Sequence, residues 1–286
     1  MRILSVLGFL LLAPLAGGLL DGMDRILSAR MQRRVGPPLL QPFYDLKKLC
    51  AKQMITVNNL QFLLMLSYLV FIMISGALLF AGTDILMCLF ILSTADMFLI
   101  LSACSDSSPY ANMGASRELL QLMAYEPITL LVAIGFYLAT GTFHVKTIIS
   151  QPVSALIFMP GMLIGFLFSA TIKFRKSPFD LSTSHHAHQE MVKGVTTEMS
   201  GLNLAIMTIA EYYETILLLG IFALFILNRN PISLLLAVLF CLLVYFIEIV
   251  VDNACSRVKW NTMLWGCWIA TLLTAGINLF VLMLIR

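Results

Sequence analysis

The chain has 286 residues, of which 60% are apolar and only 12% are charged, and its mean hydropathy is +0.93. Soluble domains carry about a quarter charged residues, so this composition excludes an ordinary soluble protein and favours a polytopic membrane protein. The formal net charge of +3 does not indicate a nucleic-acid partner, because the basic residues are concentrated in particular loops.

Eight apolar segments have about the 20 residues that a membrane-spanning helix needs. They are 3–21, 61–83, 85–104, 118–140, 153–173, 202–227, 232–251 and 263–285. The first has the features of a signal peptide, with Arg2, an apolar core and "APLAG", but we expect it to be retained as a membrane helix. The sequence therefore predicts an all-α, single transmembrane domain over residues 1–286, with both termini on one side.

The basic residues predict the orientation of these helices. Of the 18 Lys and Arg residues, 14 belong to the loops 22–60, 105–117, 174–201 (counted with Lys173) and 252–262. Cytoplasmic loops of membrane proteins are rich in Lys and Arg, so we expect these four loops inside the cell and both termini outside. The prediction is a multi-pass protein of a prokaryotic cell membrane, with the loops 22–60 and 174–201 docking any soluble partner.

Acidic residues occur within the predicted helices, where an ionised carboxylate is costly and must face the bundle interior or water. They are Asp96, Glu126, Glu211, Glu214 and Glu248, with Asp21, Asp84, Glu118 and Asp252 near helix ends. Glu211 and Glu214 share a helical face, and no cation is adjacent to them in sequence. Glu248 and Asp252 also share a helical face. Because two close carboxylates are not both ionised cheaply, these pairs predict sites that exchange a proton. For Asp21, Asp84 and Glu118 we expect ordinary pairing or a position at the wet margin.

Three stretches in the same order resemble one family. They are "RRVGPPLLQPFYDLKKL" (33–49), "GASRELLQLMAYEP" (114–127) and "SPFDL" (177–181) with "QEMVKGVTTEMSG" (189–201), followed by "AEY" at 210–212. The chain resembles, over essentially its whole length, the membrane subunit shared by respiratory complex I, as its subunit 1, and the energy-converting NiFe hydrogenases. The fold that this resemblance implies also has eight membrane helices.

Two features depart from the complex I pattern. That pattern has a glutamate five residues before the proline of its Pro-Phe-Asp motif, where this chain has Lys173, while Lys176 fills the basic position of the motif. The family also has an acid-rich run before a glycine; here Glu190 is retained, and His186 and His188 stand where the other two acids would be. This version is more similar to the membrane subunit of Ech-type (group 4) hydrogenases than to the quinone-binding subunit of complex I.

The resemblance implies a role in coupling rather than catalysis. It implies partners: hydrogenase large and small subunits, iron–sulfur proteins of a peripheral arm, an antiporter-like membrane subunit, membrane lipids and, through the complex, ferredoxin. The arm would make H₂ with electrons from reduced ferredoxin while the membrane part pumps H⁺ or Na⁺. The NiFe centre and the iron–sulfur clusters are expected in those partners, and the six cysteines of this chain lack the short spacings of a cluster or zinc site.

The histidine-rich stretch allows three interpretations. His185, His186, His188 and Glu190 are ligand types for a transition metal, but the spacing suits only an extended segment and the remaining histidine, His144, is predicted on the opposite face. A polar loop without a role is the second interpretation. The third, which we favour, is proton coupling, because imidazole titrates near neutral pH.

The sequence thus yields two sets of candidate residues. The predicted proton-path and coupling residues are Glu126, Asp180, His186, His188, Glu190, Glu198, Glu211, Glu214, Glu248 and Asp252. The predicted arm-interface and loop-motif residues are Arg33, Arg34, Gly36, Pro37, Asp45, Arg117, Lys173 and Lys176. Two alternative functions remain open, a quinone-site subunit of a complex I-like oxidoreductase and a stand-alone ion antiporter, although the chain shows no inverted-repeat signal for the latter.

Overall fold

The computed structural model describes residues 2–53, 58–176, 179 and 193–285, and this part of the chain is almost entirely helical. The helices are α1 (Arg2–Met31), α2 (Gln41–Ala51), α3 (Asn59–Ala81), α4 (Ile85–Cys104), α5 (Pro109–Thr140), α6 (Val145–Ile149), α7 (Pro160–Lys173), α8 (Leu202–Leu224), α9 (Ile232–Ala254), α10 (Trp260–Ala270) and α11 (Ile277–Ile285). A π-helical turn, Thr271–Gly276, joins α10 to α11, and single 3₁₀ turns lie at Ala155–Ile157 and Gly194–Thr196.

Seven of these helices are long and apolar enough to cross a membrane, and the all-α polytopic class is confirmed. They are α1, α3, α4, α5, α8, α9 and the continuous α10–α11 helix. The eighth predicted span, 153–173, is shorter than expected because α7 begins only at Pro160 and has 14 residues. At 1.5 Å per residue it is about 21 Å long, less than the hydrocarbon core of about 30 Å. The 3₁₀ turn Ala155–Ile157 and the residues outside any helix on either side of it replace its first turns.

The helix bundle has two distinct ends. At the short-loop end, Asp84 pairs with His144 at 2.6 Å, and the amide of Ile85 donates to the carbonyl of Phe143. The connections between α1 and α3, α4 and α5, α7 and α8, and α9 and α10 meet at the opposite end, which we call the long-loop end. The amphipathic helix α2 lies in the first of these connections.

Close helix contacts bring acidic residues on α1 and α8 together. A Cβ atom added to Gly17 would lie 2.6 Å from the carbonyl oxygen of Tyr212, so only glycine permits this approach of α1 to α8. The next turns of α1 carry Asp21 and Asp24, and Glu211 precedes Tyr212 on α8. The glycine contact therefore places three carboxylates around one space.

Candidate functional site

Three basic residues follow one another where α7 ends, and each contacts carboxylates on other helices. Lys173 is the last residue of α7, and Arg175 and Lys176 follow the helix end. Arg175 has a left-handed backbone, with φ of 52°, which is uncommon for a residue with a side chain. This turn lets the three side chains reach different neighbours.

Lys173 lies between Asp96 of α4 and Glu214 of α8, and we call these three residues the Lys173 group. Its Nζ atom is 2.5 Å from Asp96 Oδ2 and 2.9 Å from Glu214 Oε1, and all three side chains are about 95% buried. Tyr125 donates a hydrogen bond of 2.7 Å to Asp96, and Tyr68 donates one of 3.4 Å to Glu214. The group is therefore shielded from bulk water. Electrostatic interactions are stronger in this low-dielectric interior than in water.

Arg175 lies between Glu118 of α5 and Glu211 of α8, which form the Arg175 group. The distances are 3.3 Å from Nη2 to Glu118 Oε1 and 3.6 Å from Nε to Glu211 Oε1. Burial alone would lower the pKa of Arg175, but the two carboxylates outweigh it and raise that pKa above its usual value. The guanidinium is thus permanently charged at this position.

Lys176 contacts Asp24 of α1 directly and approaches Asp252 of α9 at 3.9 Å, forming the Lys176 group. One turn before Asp252 is Glu248, which is fully buried. Neither carboxylate oxygen of Glu248 has a hydrogen-bond partner among the residues that the structure describes. A buried carboxyl group in such surroundings is held at low cost only when it is protonated.

A fourth group lies nearer the first loop. Arg25 pairs with Asp21 at 3.0 Å and with Asp45 of α2 at 2.8 Å, so this Arg25 group fixes α2 to α1. Slight burial acts to raise the pKa of Asp45, but hydrogen bonds from Arg25 and Gln41 outweigh this effect and lower that pKa. Asp45, predicted for its loop motif, therefore also has a structural partner.

Members of all four groups line one cavity of about 910 Å³. It extends from Lys173 and Glu214, inside the bundle, to Lys193 and Arg257 at the long-loop end. In each group one base is shared by two acids, so a fully ionised group carries one net negative charge. Each group can therefore accept one proton, which breaks one ion pair and leaves the base bound to the other acid.

Several predicted residues lie in this site, but their partners differ from the prediction. Glu211 and Glu214 have no cation near them in sequence, yet Arg175 and Lys173 reach them from α7 and its C-terminal end. Lys173 and Lys176 were expected at the surface that docks the arm; their side chains are instead only 6% and 11% exposed, inside the bundle. Ordinary pairing or a position at the wet margin was expected for Asp21, Asp84 and Glu118, and each has a basic or histidine partner.

Two of the predicted proton-path residues lie elsewhere. Glu126 is not among the described residues that line the cavity, and its backbone carbonyl accepts a hydrogen bond from Thr129. Glu198 is close to Asp106, which follows α4: burial first, and the charge of Glu198 second, raise the pKa of Asp106. Asp180, His186, His188 and Glu190 lie outside the described residues, as does His185.

The predicted loop-motif residues of the first two inner loops lie at the long-loop end. Arg33 and Arg34 are exposed just after α1, and Arg33 has a left-handed backbone with φ of 58°. Gly36 packs against α1, where an added Cβ atom would be 2.9 Å from the Cα atom of Ile26. Pro37 and Arg117 are half-buried. Among the described residues, no group of three or more His, Cys, Asp and Glu side chains could hold a metal ion.

Several residues of the site were not recognised from the sequence. Asp96 was predicted only as one acid among several, and no role was predicted for Asp24, Arg25, Arg175 or the tyrosines at 68 and 125. The signal that could have found Arg175 is the run "KFRK" at 173–176, three bases in four residues at the end of an apolar helix.

The comparisons with known proteins agree with this architecture. Residues 3–283 match the family described as NADH dehydrogenase. The chain belongs to the NADH dehydrogenase subunit 1 family. It is 28% identical to NADH-ubiquinone oxidoreductase chain 1 of Mycosarcoma maydis, over 93% of this chain and 90% of that protein. It is 30% identical to hydrogenase-4 component C of Escherichia coli K12, over 69% of this chain and 65% of that protein.

A solved structure shows the same fold. The chain is similar, with a TM-score of 0.84 and 22% identity, to a chain of the membrane-bound sulfane sulfur reductase, an archaeal respiratory membrane complex. The similarity covers 98% of this chain and 99% of that chain. Members of this family include subunits of NADH oxidoreductases and of hydrogenases, so the chain is a multi-pass membrane subunit of a complex I-like complex.

Proposed function

We propose that the chain is the membrane-anchor and ion-translocation coupling subunit of a ferredoxin-dependent energy-converting NiFe hydrogenase complex, linking H₂ evolution to the pumping of H⁺ or Na⁺. The similarity to hydrogenase-4 component C and the histidines at 186 and 188 support the hydrogenase assignment. On this proposal the redox centres belong to partner subunits. This chain supplies the charged groups whose protonation changes with the state of those redox centres.

One observation carries the coupling role: Lys173, Arg175 and Lys176 are each shared between two acids around a single cavity. A base with two acidic partners can lose one of them to a proton and retain the other. The group then changes from a net charge of −1 to 0 without exposing an isolated ion. Such an exchange costs less than ionising or neutralising an unpaired buried group.

The position of these three bases connects the proton exchange to the proposed peripheral arm. They lie within four consecutive residues, 173–176, where α7 ends and the predicted docking loop, 174–201, begins. A displacement of the start of this loop would act on three groups at once, because the three bases belong to one short stretch of chain. Coulomb interactions at these distances in a low-dielectric bundle are strong enough to pass a charge change from one group to the next. A large hinge motion is not required.

The test is to purify the complex in mild detergent through a tag on this chain and to assay H₂ evolution from a low-potential donor. Co-purification of nickel and iron with H₂ activity supports the proposal. A tagged preparation from a strain that lacks the peripheral-arm genes is the control, because it separates activity of the complex from contaminating hydrogenase. A preparation without nickel contradicts the hydrogenase assignment.

The alternative is a membrane subunit that helps a complex I-like enzyme bind a quinone. The observation in its favour is the 28% identity to NADH-ubiquinone oxidoreductase chain 1, which extends over nearly the whole of both proteins. The charged lining of the cavity argues against a site for an apolar quinone tail. Quinone reduction by the purified complex, abolished by a quinone-site inhibitor, would establish this alternative.

A further inference from the structure

A second buried polar cluster lies at the long-loop end, formed by Gln61, Asp106 and Asn203. The Gln61 amide donates a hydrogen bond of 2.5 Å to Asp106 Oδ2, and Asn203 donates one of 2.9 Å to the Gln61 carbonyl oxygen. The three side chains come from the first turn of α3, the turn after α4 and the first turn of α8. Each residue is at most 5% exposed, and none is among the described residues that line the large cavity.

Three oxygen atoms of this region have no hydrogen-bond partner within the described ranges. They are Asp106 Oδ1, Asn203 Oδ1 and the hydroxyl oxygen of Ser102, which lies one helical turn before Asp106. Asp106 and Asn203 are joined through the same Gln61 amide, so two of these oxygens belong to one connected cluster. A buried polar atom without a partner destabilises the folded protein, and an uncompensated buried charge does so more strongly.

No basic side chain in the described part of the chain is seen to compensate the charge of Asp106. Asp106 differs from the acids of the four cation-centred groups, because the described charge that acts on it is that of Glu198, which is also acidic. A buried carboxylate is stable when it is paired, protonated or bound to a cation. The surrounding amide carbonyl and hydroxyl oxygens are ligands of the kind that hard cations prefer.

We propose that the Gln61–Asp106–Asn203 cluster, with Ser102, binds a hard monovalent cation, Na⁺ or K⁺. One buried carboxylate with neutral oxygen ligands matches a single positive charge. The described side chains of the cluster include no thiolate or imidazole that would favour a transition metal. A bound cation would join the starts of α3 and α8 to the end of α4, at the end of the bundle where the long loops meet. This binding does not depend on the proposed hydrogenase function.

The experiment uses the membrane complex purified through a tag on this chain. Its thermal unfolding is followed in NaCl, KCl and choline chloride at equal ionic strength, since a cation that binds the native state raises the Tm in a saturable way. We expect Na⁺ or K⁺ to raise the Tm relative to choline. Asp106→Asn and the near-isosteric Asn203→Leu should each weaken the apparent cation affinity at least tenfold.

Asp84→Asn is the matched control, because it removes an acid at the short-loop end and should leave the cation effect unchanged. If one of the two cluster variants does not assemble, the other still gives the result. The proposal is overturned if Na⁺, K⁺ and choline give the same Tm, or if the cation effect persists in both variants. A response to Ca²⁺ alone overturns the assignment of a monovalent ion. Each result stands whether or not the complex evolves H₂.

Discussion

Lys173 shows how a single residue can determine the charge of the bundle interior. Its Nζ atom holds two carboxylates that come from helices 41 and 77 positions away in sequence. In the complex I pattern that the chain resembles, a glutamate occupies this position. The lysine of this chain therefore puts a positive charge, which neutralises part of the site, where that pattern has a further negative charge. Such pairings are invisible in sequence, because no local spacing relates Lys173 to Asp96 or Glu214.

Replacing Lys173 with Met should destabilise the protein strongly. The substitution leaves Asp96 and Glu214 buried without their cation, and breaking a buried ion pair from one side costs about 3–5 kcal/mol. Thermal unfolding of the purified complex measures the change. Lys146→Met at the exposed short-loop end is the control and should be close to neutral. The double variant with Asp96→Asn should lose less than the sum of the single changes, since it removes one of the unpaired acids.

Replacing Glu211 with Gln should uncouple ion transport while preserving assembly. Glutamine has nearly the same shape, and Arg175 keeps Glu118 as a partner, so the cavity should persist. The Arg175 group, however, loses the acid that can release a proton. We expect slower ferredoxin-driven H₂ production and a smaller ion gradient per H₂ in intact cells. Asp84→Asn is the comparison. A variant that still builds a full gradient per H₂ would remove Glu211 from the coupling path.

At the scale of elements, the sequence predicts most helices well because each needs a continuous apolar run. The errors occur where tertiary contacts decide the boundary. The residues 109–117 form the first turns of α5, although they do not belong to an apolar run. They are helical because they pack against the 3₁₀ turn Gly194–Thr196. The shortening of α7 follows from Pro160, whose missing amide hydrogen suits a helix start. Contacts between α5 and a distant turn cannot be derived from local composition.

The contact between α5 and this turn should be sensitive to a single methyl group. An added Cβ atom at Gly114 would lie 2.4 Å from the backbone nitrogen of Val195 and 2.6 Å from the carbonyl carbon of Gly194. Because backbone atoms cannot yield as a flexible side chain does, Gly114→Ala should cost about 1–3 kcal/mol. Thermal unfolding is the measurement. Gly266→Ala is a matched control, because nothing lies within 4 Å of its added Cβ atom. Equal stability of the two variants would contradict this account of the packing.

At the scale of the whole molecule, the distribution of charge separates the two ends of the bundle. The long-loop end carries 14 of the 18 basic residues, counting those that the bundle buries, and the short-loop end and termini carry the other four. The four cation-centred groups use only four of these bases, Arg25, Lys173, Arg175 and Lys176. Bases outside these groups, such as Arg33 and Arg34, are exposed and make this end richer in Lys and Arg than the short-loop end. The sequence alone was therefore sufficient for the topology hypothesis, although not for the paired interior.

This asymmetry predicts that the long-loop end faces the cytoplasm, because segments rich in Lys and Arg are retained there. In a cysteine-free background, Ser150→Cys places a thiol at the exposed short-loop end, and Arg34→Cys places one after α1. A membrane-impermeant maleimide should label the first variant in intact spheroplasts and the second only after permeabilisation. Labelling both variants under full denaturation controls for thiol reactivity and for cover by partner subunits. The reverse pattern would place the cavity mouth and both large loops outside the cell, where ferredoxin is absent, and would contradict the proposed function together with the orientation.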